Sequence, residues 1–161
     1  MCCEATKFGT KQLKAKMLAA GGKMSFWKVV SLGGNSLVYV HTWNAGVHKA
    51  EWFDNDKFPK HGGEHITFEV DDGIHVYLDR KYALSIIKAD RDAGCPSMLL
   101  EVTCDVKHLI GAEEGWAECY GNISTAVFSQ VEVTPKQWSK FKKCKSDYLL
   151  RNESVRQALK L

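Results

Sequence analysis

Residues 66–106 constrain the fold of this chain most strongly, because two short strand-like runs, a capped helix and a third strand follow one another closely there. The runs at 66–70 (ITFEV) and 74–78 (IHVYL) flank Asp71-Asp72-Gly73. An Asp-Gly pair between two such runs is a strong indication of a two-residue hairpin turn. The sequence therefore predicts a tight β-hairpin at this point.

A helix with well-defined ends should follow the hairpin. Asp79 is a favourable N-cap for a helix that begins at Arg80, because its carboxylate can accept hydrogen bonds from the free amides of the first turn. Residues 98–106 then alternate between apolar and polar side chains, which is typical of a half-buried strand inside a sheet. In the helix that begins at Arg80, Ala83, Ile86 and Ile87 should form the buried stripe. Gly94 followed by Pro96 should end that helix.

The remaining segments are predicted to add strands on one side and helices at both ends. In chain order they are a helix at 10–20, a hairpin of strands 26–32 and 37–43 across Gly33-Gly34-Asn35, strands at 116–120 and 126–133, a helix from the capping box at Thr134, and a basic helix at 147–161. The predicted class is α+β. We expect a mainly antiparallel, twisted β-sheet with a central capped helix and flanking N- and C-terminal helices.

Residues 44–64 break every periodicity and predict a long loop pinned to the core by aromatic side chains. Loops of this length are uncommon in small domains and are often functional. Trp43 and Trp52 flank the loop and are candidate ligand-binding residues that would line a pocket for a base or a sugar. The alternative is that both are core and loop anchors.

Composition favours one soluble domain. The 161 residues are 45% hydrophobic, which is enough for a core without disulfides. We expect a single domain over 1–161, with basic helical segments at 1–24 and 146–161. No run approaches the roughly 18 apolar residues of a membrane helix, so we expect a cytoplasmic protein with no membrane partner. The six cysteines form no C-x-x-C pair, which favours reduced thiols.

Positive charge is concentrated at the two ends of the chain. Residues 1–28 hold six Lys or Arg against one acidic residue, and residues 136–161 hold eight against two. The middle part holds eight against sixteen. Basic ends that meet on one face would bind an anionic partner such as nucleic acid. Alternatively, they dock on the acidic middle or are merely solvated.

His75 is the most suggestive of the six histidines. It stands two residues before Tyr77, so both side chains lie on one strand face. A histidine beside a tyrosine can bind a flat ligand or share a proton, and both are candidate ligand-binding residues. The alternative is a packed sheet histidine. His61-Gly-Gly-Glu-His65 echoes a zinc motif, but its glycines oppose the required helix, so no metal site is predicted.

Four short segments of the sequence form a pattern that is similar to one found elsewhere. They are Gly73-Ile74-His75, Ala83 in the following helix, and the strands Leu100-Glu101-Val102 and Val131-Glu132-Val133. Together they resemble a group of short uncharacterised domains from phage and large-virus genomes. The resemblance implies an accessory viral or phage protein and carries no activity. Because no catalytic constellation is evident, the leading prediction is a non-enzymatic binding module that contacts an unidentified protein partner and needs no cofactor.

The same order of elements also resembles half of an ADP-ribosyltransferase fold. That resemblance implies that His41 or His75 grips NAD, that Tyr77 stacks on nicotinamide, and that Glu132 acts on the ribose. The chain has no clear R-S-E, Q-x-E or H-Y-E set. An NAD-dependent enzyme with His75, Tyr77 and Glu132 as catalytic residues is therefore the alternative. Nucleic-acid binding through the basic termini is the second alternative.

Overall fold

The computed structural model describes residues 3–32, 41–50, 63–70, 72–114 and 125–158. Within these ranges nine β-strands and four α-helices confirm the α+β class. The strands are β1 (Cys3–Ala5), β2 (Lys23–Ser31), β3 (Gly46–Lys49), β4 (Phe68–Val70), β5 (Ile74–Tyr77), β6 (Ser97–Asp105), β7 (Leu109–Ala112), β8 (Thr125–Phe128) and β9 (Gln130–Val133). The helices are α1 (Lys7–Ala19), α2 (Arg80–Asp92), α3 (Pro135–Arg151) and α4 (Glu153–Ala158), and a 3₁₀ turn spans Val106–His108.

Seven strands form one antiparallel sheet in the order β3-β9-β6-β2-β5-β8-β7. The longest pairing joins β2 and β6, from Lys23 opposite Asp105 to Ser31 opposite Ser97. β6 therefore lies inside the sheet between β9 and β2, as its alternating pattern predicted.

The sheet curls until the end of β8 meets the start of β9. Three strands separate them in the sheet order, which in a flat sheet would place them about 19 Å apart at about 4.8 Å per strand. Only Ser129 connects them, and such a link spans at most about 7 Å. The backbone N–H of Ser129 donates to the carbonyl of His108 (2.8 Å), and its carbonyl accepts from the N–H of Ala50 (2.9 Å). Both edges of the sheet thus meet at Ser129.

The main core fills the inside of this curled sheet. Each of the five strands from β9 to β8 contributes buried side chains to a single cluster, which α1 and α3 extend. The rings of Phe26 on β2 and Phe128 on β8 lie 6.2 Å apart although these strands do not pair. The strand members of the cluster include Phe26, Val30, Ile74, Val76, Leu100, Val102, Ala126, Phe128, Val131 and Val133.

The prediction of one strand over 126–133 was wrong. That segment is divided at Ser129 into β8 and β9, which pair with different strands. Regular alternation along one strand would put Val127, Val131 and Val133 on the same face. Instead Val127 packs in a second apolar cluster, while the other two valines face the main core. The alternation changes phase at Ser129 because the strand bends there.

The predicted tight hairpin at Asp71-Asp72-Gly73 was also wrong. β4 pairs with β1 in a separate two-stranded sheet, whereas β5 pairs with β2 and β8. This small sheet covers the second apolar cluster, to which Cys3, Ala5 and Val70 contribute. Pairing with the N-terminal segment outweighs the local turn preference.

The helix ends follow the capping patterns of the sequence. The Asp79 carboxylate accepts from the N–H of Lys81 (2.9 Å) at the start of α2, and Ala83 and Ile87 pack against Val29 on the outside of the sheet. Thr134 and Gln137 form the capping box of α3.

The C-terminal helix boundary was predicted too early. α3 continues to Arg151, and Asn152 separates it from α4.

The predicted loop at 44–64 contains a strand, since β3 pairs with β9. Residues 33–40, Trp52 and the predicted strand at 116–120 lie outside the described residues. Among the described helices, none is long and apolar enough to cross a membrane.

Candidate functional site

His75 is buried, with 4% of its surface exposed. Its Nε2 lies 2.8 Å from the carbonyl oxygen of Val70, and its Nδ1 lies 3.3 Å from that of Gly73. Burial lowers the pKa of His75, so the ring is neutral near neutral pH and carries one N–H. The shorter contact assigns that proton to Nε2. His75 thus ties β5 to the end of β4, which favours the structural interpretation of this residue.

Tyr77 faces α2 rather than an open pocket. Its ring packs against Tyr82, with centroids 5.6 Å apart, and burial raises its pKa to about 12. Glu132 lies on β9, which pairs with β6 and β3, while His75 and Tyr77 lie on β5. Among the described residues, no hydrogen bond or ring contact joins Glu132 to either of them.

Trp43 is buried, with 3% exposed, and belongs to an aromatic cluster with His41 and His48. Its ring centroid lies 4.6 Å from that of each histidine. His41 Nε2 lies 2.8 Å from His48 Nδ1, and His48 Nε2 lies 2.8 Å from the carbonyl oxygen of Asn44. A carbonyl only accepts, so His48 donates its Nε2–H to Asn44, and a single proton is shared between its Nδ1 and Nε2 of His41. The aromatic cluster therefore contains an ordered imidazole pair.

Lys28 connects the aromatic cluster to β5. Its Nζ donates a 2.6 Å hydrogen bond to the carbonyl oxygen of His75 and lies 5.9 Å from the centroid of the Trp43 ring. The side chain is half-buried, and burial lowers its pKa to about 8. Lys28 thus bridges Trp43 and His75, two candidate residues predicted from the sequence. Lys28 itself was not predicted as a site residue.

The sequence did contain evidence for Lys28. It alternates with Phe26 and Val30, which both point into the core, so it occupies an inward position of β2. A lysine at such a position is unusual, because Lys is among the residues least often buried without a partner.

A groove of about 380 Å³ lies on the outer face of the sheet between α2 and α3. We call it the α2–α3 groove. Its apolar part is formed by Trp27, Leu84, Ile87, Met98, Leu99 and Phe141, and its polar part by Arg80, Lys88, Arg91, Asp92, Glu101, Gln137, Lys140 and Cys144. Sequence reasoning missed the groove, because it depends on how two distant helices pack on one sheet.

Cations outnumber carboxylates along the α2–α3 groove by four to two. Lys140 Nζ lies 3.6 Å from Glu101 Oε2, so the charges of these two side chains partly cancel. The guanidinium of Arg91 lies 4.3 Å from the centroid of Tyr148, which fixes the end of α2 against α3. In the part of the chain that the structure describes, neither Arg80 nor Lys88 forms an ion pair. These two cations are available to an anionic ligand.

Comparisons with known proteins give no match. No family model and no curated protein matches the sequence, and no solved structure matches this chain. Across the described residues, no three His, Cys, Asp or Glu side chains converge as metal ligands.

Proposed function

We propose that this protein is a non-enzymatic binding module whose α2–α3 groove holds an acidic peptide segment of a partner protein. The observation that carries the proposal is an apolar floor beside Arg80 and Lys88, two cations that form no ion pair with any described residue. Such a floor accepts hydrophobic anchor side chains, and the cations attract and orient acidic flanking residues. In this arrangement α2 acts as the central recognition helix and α3 as its flank.

The composition of the groove favours a peptide over a nucleic acid. Single-stranded nucleic acids stack their bases on exposed aromatic side chains. Here Phe141 is buried and Trp27 is half-buried, and the other four apolar lining residues are not aromatic, including Leu84, which is 38% exposed. Asp92 and Glu101 would also repel a phosphate backbone. An acidic peptide can place its carboxylates at the cations and its apolar side chains between them.

The size of the groove limits what it can hold. At about 380 Å³ it is near the lower end of the roughly 300–1,000 Å³ range of ligand pockets. It therefore suits a few anchor side chains of a short segment rather than a large folded surface. The viral or phage origin and the cytoplasmic location stay predictions.

Fluorescence anisotropy tests the proposal with three probes on the full chain. They are a fluorescein-labelled peptide that alternates Leu with Asp and Glu, the same peptide with Lys in place of the acids, and a labelled oligo-dT. We expect only the acidic peptide to bind, and added salt to weaken binding through screening.

Charge reversal locates the binding surface. Lys88→Glu removes an attraction and adds a repulsion, so we expect about tenfold weaker binding of the acidic peptide. Lys81→Glu makes the same charge change on the same helix outside the groove, and it should have at most about a twofold effect. Equal losses in both variants, or tighter binding of oligo-dT, would refute the peptide proposal.

A further inference from the structure

Three exposed side chains of α2 form a stripe along the α2–α3 groove. Arg80, Leu84 and Lys88 follow one another at intervals of four residues, so they lie close to one line on the helix surface, and all three border the groove. Along the stripe the order is cation, apolar side chain, cation.

The carboxylates of the groove do not neutralise the two cations of the stripe. Glu101 lies beside Lys140, and Asp92 forms no ion pair with any described residue. Charge complementarity therefore favours a ligand with one carboxylate at Arg80 and another at Lys88.

The length of the stripe sets the spacing of these ligand groups. At a rise of about 1.5 Å per residue, Arg80 and Lys88 are about 12 Å apart along the helix axis, with Leu84 midway. In an extended peptide every second side chain lies on the same side, and such side chains are about 6.6 Å apart. Five extended residues thus present their first, third and fifth side chains over about 13 Å, which matches the stripe.

A helical ligand fits the groove less well. It would match the same distance with groups eight residues apart, but a helix with its side chains is about 10–12 Å across. Neighbouring strands of a sheet are only about 4.8 Å apart, so one extended chain is much narrower in that direction. A groove of about 380 Å³ favours the narrower ligand.

We propose that the α2–α3 groove selects an extended segment of the form acid-x-apolar-x-acid, with its carboxylates at Arg80 and Lys88 and its apolar side chain at Leu84. This inference rests on the proposed function of the groove and adds the spacing and the conformation of the bound segment. Strict alternation of acidic and apolar residues is less favourable, because it places the two kinds of side chain on opposite sides of an extended chain.

Fluorescence anisotropy with three capped, labelled peptides tests the spacing on the full chain. The first peptide carries D-S-L-S-E, the second carries the same five residues as S-D-L-E-S, and the third carries D-A-A-A-L-A-A-A-E, which has the helical spacing. We expect the first to bind about fivefold more tightly than either of the others. The second reaches the stripe with at most one carboxylate, and the third must enter as a helix.

Two thiols report where the peptides bind. Cys144 lines the α2–α3 groove and Cys95 does not, and both are free and exposed. Bound D-S-L-S-E should slow the alkylation of Cys144 by iodoacetamide and leave that of Cys95 unchanged, as measured by peptide mass spectrometry.

A charge exchange tests the contact at Lys88. In Lys88→Glu, D-S-L-S-E should lose its advantage over S-D-L-E-S, because one of its acids then meets a carboxylate. One of the two peptides K-S-L-S-E and D-S-L-S-K should bind this variant more tightly than D-S-L-S-E does, and which one it is gives the direction of the bound segment. A gain with neither would overturn the contact at Lys88.

The outcomes separate this inference from the function on which it rests. Equal affinity for D-S-L-S-E and S-D-L-E-S, with Cys144 protected by both, would overturn the spacing and leave the proposed function standing. Tightest binding of the third peptide would overturn the extended conformation. If none of the three peptides bound, or if they protected Cys95 and not Cys144, the proposed function and this inference would both be wrong.

Discussion

Replacing Gly73 by alanine should destabilise this protein through two separate effects. Gly73 has φ of +108°, a conformation that L side chains rarely adopt. A Cβ at this position would also lie 2.5 Å from Cγ1 of Val127 and 3.1 Å from Cδ1 of Ile110. Both neighbours belong to the second apolar cluster, where they have little room to move.

The two effects can be added. The positive φ costs about 1–2 kcal/mol, of which about 0.4–1 kcal/mol is offset by the reduced entropy of the unfolded chain. Overpacking adds about 1–3 kcal/mol. We therefore expect Gly73→Ala to lower the free energy of unfolding by about 1–4.5 kcal/mol.

Gly94 provides the matched control. Its φ is +79°, but nothing lies within 4 Å of the position of a Cβ. Gly94→Ala should therefore show only the backbone effect, about 1 kcal/mol.

Urea denaturation followed by circular dichroism measures both variants. With a slope of about 2 kcal/mol/M, Gly94→Ala should lower the midpoint by about 0.5 M. Gly73→Ala should lower it by more than Gly94→Ala, within a range of about 0.5–2 M. Equal shifts for the two variants would refute the close contact of Gly73 with Val127.

Two further predictions concern the candidate sites. Burial lowers the folded-state pKa of Lys28 to about 8, against about 10.4 in the unfolded chain. Between about pH 8 and pH 10.4 the unfolded state therefore binds more protons than the folded state. The free energy of unfolding should rise with pH in this range. Urea denaturation at several pH values measures the free energy of unfolding of the wild type and of Lys28→Met. The wild-type value minus the Lys28→Met value should rise by about 1–2 kcal/mol across that pH window, after allowance for solvent screening. A difference that does not change with pH would contradict the burial of the amine. For the NAD interpretation, we expect no thermal shift with NAD, because His75 is engaged by Val70 and Gly73. A site filled to 100 times its Kd would add about 2.7 kcal/mol, and a shift of that size that His75→Ala abolishes would support the enzyme alternative.

The helix starts were predictable because their determinants are local. Asp79 caps α2 through the amide of Lys81, two residues away, and the Thr134–Gln137 capping box spans three residues. Such contacts form within one turn and depend little on the rest of the fold. The alternation of β6 was equally informative, since its two faces meet a core and two helices.

Strand pairing was not predictable in the same way. The Asp-Gly pair favours a hairpin between the segments on either side of it, but β4 instead pairs with β1, from Cys3 opposite Val70 to Ala5 opposite Phe68. The partner strand is more than sixty residues away along the chain, and nothing near Gly73 reports its presence. The contact from His75 to Val70 then holds β4 and β5 together without a ladder between them.

The phase change at Ser129 links the closure of the sheet to Lys28. Alternation shows which residues of β2 share a face, but both faces carry apolar side chains, with Phe26 on one and Val29 on the other. The curl, which lets one residue connect β8 to β9, turns the face of Phe26 toward the main core. In an open sheet the same face would border solvent, and a lysine there would need no explanation. The break in alternation at Ser129 is therefore the sequence evidence that places Lys28 on the inner face of a curled sheet.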